Sequence, residues 1–113
     1  MANSGQLTER FAFDSPTSTA NGGGGVEIGW AVQHECWARV SYLRGSEPVI
    51  AARLVGRQPV VIRIRTSAAA RGIGTDWRAR DMRTGAIYAI KTGPVPSLDR
   101  AYLDFTAESG VLE

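Results

Sequence analysis

The sequence predicts a mainly β protein, a small β-barrel or sandwich of about six or seven short strands with one short α-helix and long loops. Two observations carry this prediction. Apolar and polar residues alternate along several short segments, which is typical of strands that bury one face. These segments recur at intervals of about ten residues and are separated by turn residues, and the chain contains 13 Gly and 5 Pro.

The size and composition of the chain fit one globular domain over residues 1–113. Apolar residues make up 43% and charged residues 21%, which is typical of a folded protein. No segment approaches the roughly 20 consecutive apolar residues of a membrane helix, and residues 1–4 lack the features of a signal peptide. We therefore expect no membrane partner, and the lone Cys36 fits assembly in a reducing bacterial cytoplasm.

Two strands with a long loop between them are expected in the first third of the chain. Leu7–Asp14 alternates well enough to be a strand, and Cys36–Leu43 alternates more clearly, whereas Val26–Val32 is at most a short strand. The segment at about residues 15–29 is rich in Ser and Thr and contains Pro16 and four consecutive glycines, which predicts a flexible loop. These glycines are Gly22, Gly23, Gly24 and Gly25.

The rest of the chain predicts one helix followed by four strands. Ser46–Gly56 has a helix N-cap residue at its start and a glycine at its end. The expected strands are Gln58–Ser67, Asp76–Met82, Ala86–Thr92 and Arg100–Glu108, with loops over Ala68–Thr75 and Gly93–Ser97. Thr84 and Gly85 predict a hairpin turn between the second and third of these strands.

The side chains that carry enzyme chemistry are scarce. His34 and Cys36 lie two residues apart, so they would share one face of a strand, but no second His is present to orient such a pair. A zinc site needs about four ligands, and the glycine run lacks the Lys-Ser/Thr ending of a phosphate loop. We therefore expect a protein that is not an enzyme and has no cofactor and no metal, with Cys36 in the core.

Positive charge is concentrated in residues 57–83, which contain seven Arg against two Asp although the whole chain carries only +2. Four of these arginines, Arg63, Arg65, Arg78 and Arg80, would form one outward face if their two strands were neighbours. Such a face would contact DNA phosphates or acidic residues of an adjacent subunit such as Asp104 and Glu108, or be an ordinary solvated exterior. Trp30, Trp37 and Trp77 fit core packing, and Trp37 with Arg39 also fits stacking on nucleotides.

A series of short motifs runs along nearly the whole chain. The chain opens with Gly5-Gln6-Leu7-Thr8-Glu9-Arg10-Phe11, and a glycine-rich segment then leads to Trp30 and Glu35-Cys36-Trp37-Ala38-Arg39-Val40. It continues with a helical segment from Glu47, Val61-Ile62-Arg63-Ile64-Arg65, Thr84-Gly85, Tyr88-Ala89-Ile90 and Asp99-Arg100-Ala101-Tyr102-Leu103. The order of these motifs resembles the phage head–tail joining (head–tail adaptor or stopper) family, which includes proteins of phage-like gene transfer agents.

The resemblance implies a structural virion subunit at the neck of a virion or phage-like particle. It implies a ring of copies of the chain, six by preference and twelve as the alternative, with an adaptor or portal ring on the head side and a tail terminator or tail tube on the other. Packaged DNA would pass through the lumen without sequence-specific contacts. The residues themselves add two expected contact regions, the glycines at 22–25 and the four arginines.

Two alternatives to the connector stay open at the level of sequence. One is a tail-completion (terminator) ring protein, which belongs to the same structural class. The other is a small β-barrel that binds DNA by itself, for which the motivation is the arginine-bearing strands together with Trp37.

Overall fold

The computed structural model describes residues 7–20, 22–43, 47–54 and 56–109. Six strands and two helices lie in these ranges. They are β1 (Glu9–Ala20), β2 (Val26–Tyr42), α1 (Glu47–Leu54), β3 (Gln58–Arg65), α2 (Ala68–Arg71), β4 (Arg78–Asp81), β5 (Ile87–Pro96) and β6 (Tyr102–Ser109).

The strands close into a barrel in the order β1-β2-β3-β6-β5-β4, and each neighbouring pair is antiparallel, including β4 with β1. Closure leaves the strands of the barrel body without an unpaired edge. The predicted fold class, a mainly β protein with a barrel of about six strands, is confirmed, although β1 and β2 are longer than predicted, with 12 and 17 residues.

Alternating residues of every strand fill the barrel. Phe11, Phe13 and Phe105 are fully buried at its centre, and the ring centroids of Phe13 and Phe105 lie 5.7 Å apart. The apolar residues at alternate positions of β3 and β6 are buried, as the alternation predicts, namely Val60, Ile62, Ile64, Leu103, Phe105 and Ala107. This agreement follows because successive side chains in a strand point to opposite faces, so the apolar set selects the core face.

The prediction of a loop at residues 15–29 is wrong, because β1 continues to Ala20 and pairs with β2 from Val26 onward. Beyond Asp14, β1 has left β4 and pairs with β2 alone, so these residues form a two-stranded hairpin arm (Ser15–Ala20 with Val26–Ala31). Pro16 is compatible with this strand because a proline is tolerated where its nitrogen faces away from the neighbouring strand.

A β-bulge marks the place where the arm leaves the barrel. Phe13 pairs with His34 and Asp14 pairs with Val32, so Gln33 is an extra residue in β2. Bulges bend a strand and increase its local twist. The two segments predicted at Val26–Val32 and Cys36–Leu43 are therefore one strand of 17 residues that changes register at Gln33.

Both helices lie in connections between strands. α1 confirms the predicted helix, and the Gly56 N–H donates to the Arg53 carbonyl at 3.1 Å at its C-terminal end, while Ser46 lies outside the described residues. The segment Ala68–Thr75, expected as a loop, begins with a single helical turn, α2, which Ser67 caps by accepting a hydrogen bond from the Ala70 N–H at 3.0 Å.

Two further expectations near β5 and β6 need correction. Gly93–Ser97 was expected as a connector, but β5 extends to Pro96 and pairs with β6 across two irregularities in register. Alternation with the buried Leu103, Phe105 and Ala107 would put even-numbered residues such as Tyr102 on the solvent side of β6, yet Tyr102 is only 3% exposed. Its ring points outward and is covered by the guanidinium groups of Arg63 and Arg65, which lie 5.5 and 5.8 Å from the ring centroid.

Candidate functional site

The predicted four-arginine face does not exist as one surface. Arg63 and Arg65 lie on β3, whereas Arg78 and Arg80 lie on β4. In the closed barrel two strands separate β3 from β4 in either direction, so the two arginine pairs lie on opposite sides. The hypothesis failed because it needed β3 and β4 to be neighbours, and strand order in a barrel is set by long-range pairing.

The β4 arginines hold a buried carboxylate at the base of the hairpin arm. Arg78 Nε lies 2.9 Å and Arg80 Nε 3.3 Å from Asp14 Oδ2, and Asp14 is only 1% exposed. Arg78 also stacks on Trp30, with 4.6 Å from its Cζ to the ring centroid. Asp14 Oδ1 is buried and accepts no hydrogen bond from the described residues. This cluster joins β4, the end of the barrel part of β1 and the arm portion of β2.

Arg63 forms a two-pronged ion pair within the chain. Its Nε and Nη2 donate to the two carboxylate oxygens of Asp104 at 2.8 and 2.9 Å. The hydrogen bond to Asp104 is the main reason why the pKa of Arg63 is raised. Glu108 lies near Lys91, with 3.8 Å between Oε1 and Nζ. The expectation that Asp104 and Glu108 serve as acidic partners for a neighbouring subunit is therefore weakened, because both face cations of their own chain.

The register of the sheet assembles a row of alternating cations and aromatic rings that sequence reasoning missed. Arg10 pairs with Trp37 across β1 and β2, and Arg65 pairs with Tyr102 across β3 and β6. Since Ala38 pairs with Ile64, the next residues outward, Trp37 and Arg65, flank each other on neighbouring strands. We call Arg10, Trp37, Arg65 and Tyr102 the cation–aromatic row.

The cation–aromatic row lies on the outside of the barrel. The Arg10 Cζ is 5.5 Å from the centroid of the Trp37 ring, and Trp37 is 52% exposed. Arg10, Trp37 and Arg65 line a shallow depression of about 260 Å³ together with Leu7, Glu35 and Cys36. The sequence indicated only Trp37 with Arg39 in the same strand. Arg10 and Arg65 lie on β1 and β3, and only the register of these strands against β2 places them next to Trp37.

The four glycines lie at the tip of the hairpin arm, in the connection between β1 and β2, and Gly22–Gly25 are exposed. The body of the arm separates them from the cation–aromatic row, which lies on the wall of the barrel. Their predicted contact role is independent of the arginines and stays a prediction.

Cys36 does not have the environment of a nucleophile. Burial raises the pKa of its thiol to about 11 and outweighs the opposing effect of Arg10, so the thiol is protonated at neutral pH. The ring of the neighbouring His34 packs beside Phe13, with centroids 6.4 Å apart. Among the described residues no three His, Cys, Asp or Glu side chains cluster as metal ligands, and no helix in the described ranges is long and apolar enough to cross a membrane.

Solved structures share this fold over nearly the full chain. The solution structure of protein SF1141 from Shigella flexneri 2a is 23% identical, with 99% of this chain and 100% of that chain covered and a TM-score of 0.69. A chain of the virion of a native gene transfer agent particle is also 23% identical, with 95% and 97% covered and a TM-score of 0.62. No curated protein matches the chain.

The sequence model of the phage head completion protein family matches residues 2–110. This match spans almost the whole chain, and it agrees with the family resemblance read from the order of motifs. Family and fold together point to a structural rather than an enzymatic role. The chain belongs to the phage head completion protein family, and this family points to a structural subunit of a virion.

Proposed function

We propose that the chain is a head–tail connector (stopper) subunit that forms a ring around the DNA channel, between the portal or adaptor on the head side and the tail terminator or tail tube on the other. The observation that carries the proposal is the head completion family match over residues 2–110. The ring would lie at the neck of the particle, be built from six copies, and be assembled in the bacterial cytoplasm.

The shape of the subunit supports this role. A closed barrel gives a rigid body whose strands cannot extend into neighbouring chains by edge pairing. The hairpin arm projects from that body and is long enough to reach past it, since six residues of β1 run beyond the last contact with β4. Identical rigid bodies that make one repeated head-to-tail contact close into a ring when the rotation between them closes.

The arm is suited to contact because little within its own chain covers it. An isolated two-stranded hairpin is only marginally stable in water, and Pro16, Ser18 and Gly22–Gly25 of the arm are exposed. Contacts with a neighbouring subunit or with the ring above or below would bury these residues. The proposal therefore assigns the contact role of Gly22, Gly23, Gly24 and Gly25 to the tip of a hairpin.

The proposal is tested by deleting the gene and imaging the particles by negative-stain electron microscopy. We expect DNA-filled heads and complete tails that are separate, and we expect joined particles to return when the wild-type gene is supplied on a plasmid. Normal joined particles in the deletion strain would show that the protein is not a connector. Joined particles with tails of irregular length would instead indicate the tail-terminator role.

A further inference from the structure

We propose that the outer face of β1, β2 and β3 around Trp37 binds the phosphodiester backbone of DNA, with Arg10, Arg39 and Arg65 meeting phosphates and the Trp37 ring lying against a sugar or an unpaired base. This inference deepens the proposed function, because it names the surface that a ring subunit would turn toward DNA. It differs from the four-arginine face predicted from the sequence, since only Arg63 and Arg65 of that set lie here.

Charge is the first argument. The arginines around Trp37 are Arg10, Arg39, Arg63, Arg65 and Arg83, and the carboxylates beside them are Glu9, Glu35, Asp81 and Asp104. Two of these carboxylates are engaged within the chain, since Asp104 pairs with Arg63 at 2.8 Å and Glu9 accepts a hydrogen bond from the Val40 N–H at 3.1 Å. Five positive against four negative charges leave this face with a formal excess of one positive charge. A local excess of this kind attracts a polyanion.

Pre-organisation is the second argument. A guanidinium that stacks on an aromatic face keeps its edge N–H groups directed outward and has fewer conformations to lose on binding. Arg10 is held in this way over Trp37 at 5.5 Å, and Arg65 over Tyr102 at 5.8 Å. Guanidinium N–H groups fixed at a surface match the oxygen atoms of a phosphate, which they can contact with two hydrogen bonds.

Spacing is the third argument. Neighbouring strands lie about 4.8 Å apart, so Arg10 on β1 and Arg65 on β3 are separated by about 10 Å, with Trp37 between them. The charges of one DNA strand recur every ~3.4 Å along the helix axis, so two arginines at this distance reach different phosphates of the same strand. Between them, Trp37 is half-exposed and offers its ring for stacking.

A protein partner is the competing occupant, since Trp and Arg are also enriched at protein interfaces. Such an interface typically buries about 800 Å² on each side around an apolar centre. Among the described residues that line this depression, Trp37 is the exposed large hydrophobic one, because Leu7 is only 5% exposed. One aromatic ring flanked on both neighbouring strands by an arginine favours a polyanion over an apolar protein surface.

The test measures fluorescence anisotropy of a labelled 20-base-pair duplex and a labelled 20-nucleotide single strand, with the purified full-length chain at 50 and 200 mM salt. We expect micromolar binding at 50 mM that weakens about 20- to 40-fold at 200 mM, as three phosphate contacts require. Arg10→Gln with Arg65→Gln should weaken binding at least about tenfold and lower the salt slope by about two. If the single strand binds more tightly than the duplex, the Trp37 ring stacks on an unpaired base. If the two bind equally, the ring lies against a sugar.

The matched control is Arg53→Gln with Arg71→Gln, which removes the same charge from exposed arginines on α1 and α2. We expect this double variant to bind within about twofold of wild type. Arg39→Gln, with a smaller loss, provides a second test if the first double variant does not fold by circular dichroism. If both double variants lost the same amount of DNA affinity, binding would depend on the overall charge of the chain and not on this surface, which would overturn the proposal.

Two further outcomes would also overturn it. Absence of DNA binding at 50 mM salt is one, and equally tight binding of a labelled poly-glutamate peptide of the same charge is the other, since it would indicate an acidic protein partner. The deletion experiment is independent of these measurements. Separated heads and tails together with absent DNA binding would reject this surface and leave the connector role standing.

Discussion

Asp14 illustrates how single residues fix the geometry of this protein. Its carboxylate is only 1% exposed and is held by Arg78 and Arg80 where the arm leaves the barrel. A buried carboxylate between two arginines is costly to form but far more costly to break, because removal of one partner leaves uncompensated charge in a poorly solvated place. The cluster therefore sets the junction between β1, β4 and the arm.

We predict that Asp14→Asn lowers the free energy of unfolding by about 3 kcal/mol, because it leaves Arg78 and Arg80 without a counter-charge. Urea denaturation followed by circular dichroism measures this. The control is Asp104→Asn, since Asp104 pairs with Arg63 and the two side chains are 27% and 33% exposed. Because solvent screens that pair, its loss should be about 1 kcal/mol or less. Equal losses would contradict the special role of the buried cluster.

Cys36 allows a prediction about pH. Burial raises the pKa of its thiol from 9.0 to about 11 on folding, so the stability gained from the neutral folded thiol is present below pH 9 and is lost as pH rises toward 11. We expect stability to fall over this range, and we expect Cys36→Ala to flatten the fall, measured by denaturation at pH 8, 9.5 and 10.5. At pH 8 the native thiol should react with a disulfide reagent far more slowly than in urea. Equally fast reaction in both states would be inconsistent with a buried thiol.

Gly93 occupies a place in β5 that a side chain would strain. Its φ is +126°, and a Cβ there would lie 2.7 Å from Phe105 Cδ2 and 3.0 Å from the Asp104 carbonyl oxygen. We predict that Gly93→Ala costs about 3 kcal/mol, through backbone strain and overpacking. Gly85 has φ +81° and no atom within 4 Å of that position, so Gly85→Ala should cost only about 1 kcal/mol. The measurement is the change in melting temperature. Similar decreases in the two variants would show that the Phe105 side chain moves aside at little cost.

At the scale of elements, the hairpin arm depends on an alternation of backbone hydrogen bonds. Pro16 has no N–H, so its pair with Trp30 is one of the pairs whose backbone groups point away from each other. The neighbouring pair of Thr17 with Gly29 is then one that exchanges hydrogen bonds. Adjacent residues of the same strand therefore differ in their tolerance of proline.

We predict that Thr17→Pro opens the arm while the barrel stays folded, because it removes a ladder bond in a ribbon of only two paired strands. Amide hydrogen exchange should speed up about tenfold or more at Gly29 and Ala31, with no change at Ile62 in β3. Pro16→Thr is the control, and it should leave these rates almost unchanged. Faster exchange throughout the chain, including loss of protection in β3, would show that arm and barrel are a single cooperative unit.

At the scale of the whole molecule, barrel closure separates charges that are close in sequence and joins charges that are far apart. Arg65 and Arg78 are 13 positions apart in the chain but lie on opposite walls. Arg10 and Arg65 are 55 positions apart but flank the same Trp37. A subunit with one basic wall and a projecting arm is suited to a ring in which different sides meet different partners.

Several parts of this arrangement could be predicted from local patterns. The faces of β3 and β6 followed from alternation, because a buried face demands apolar residues at every second position. α1 followed from its polar start and terminal glycine. The arm could not be predicted in this way, because Ser, Thr, Pro and Gly in residues 15–25 are typical of loops and only pairing with β2 makes them a strand. Contacts of Gly22–Gly25 with other subunits stay a prediction.

The amino-acid sequence by itself determined the fold class, the core faces of the strands and, through the order of its motifs, the family, because each depends on residues near one another in the chain. The tertiary structure alone decided which arginines share a surface, since that depends on strand order and register. It replaced the expected face of Arg63, Arg65, Arg78 and Arg80 with two separate clusters. The physical reason is that β-pairing links distant segments through backbone hydrogen bonds, which leave little trace in the local pattern of side chains.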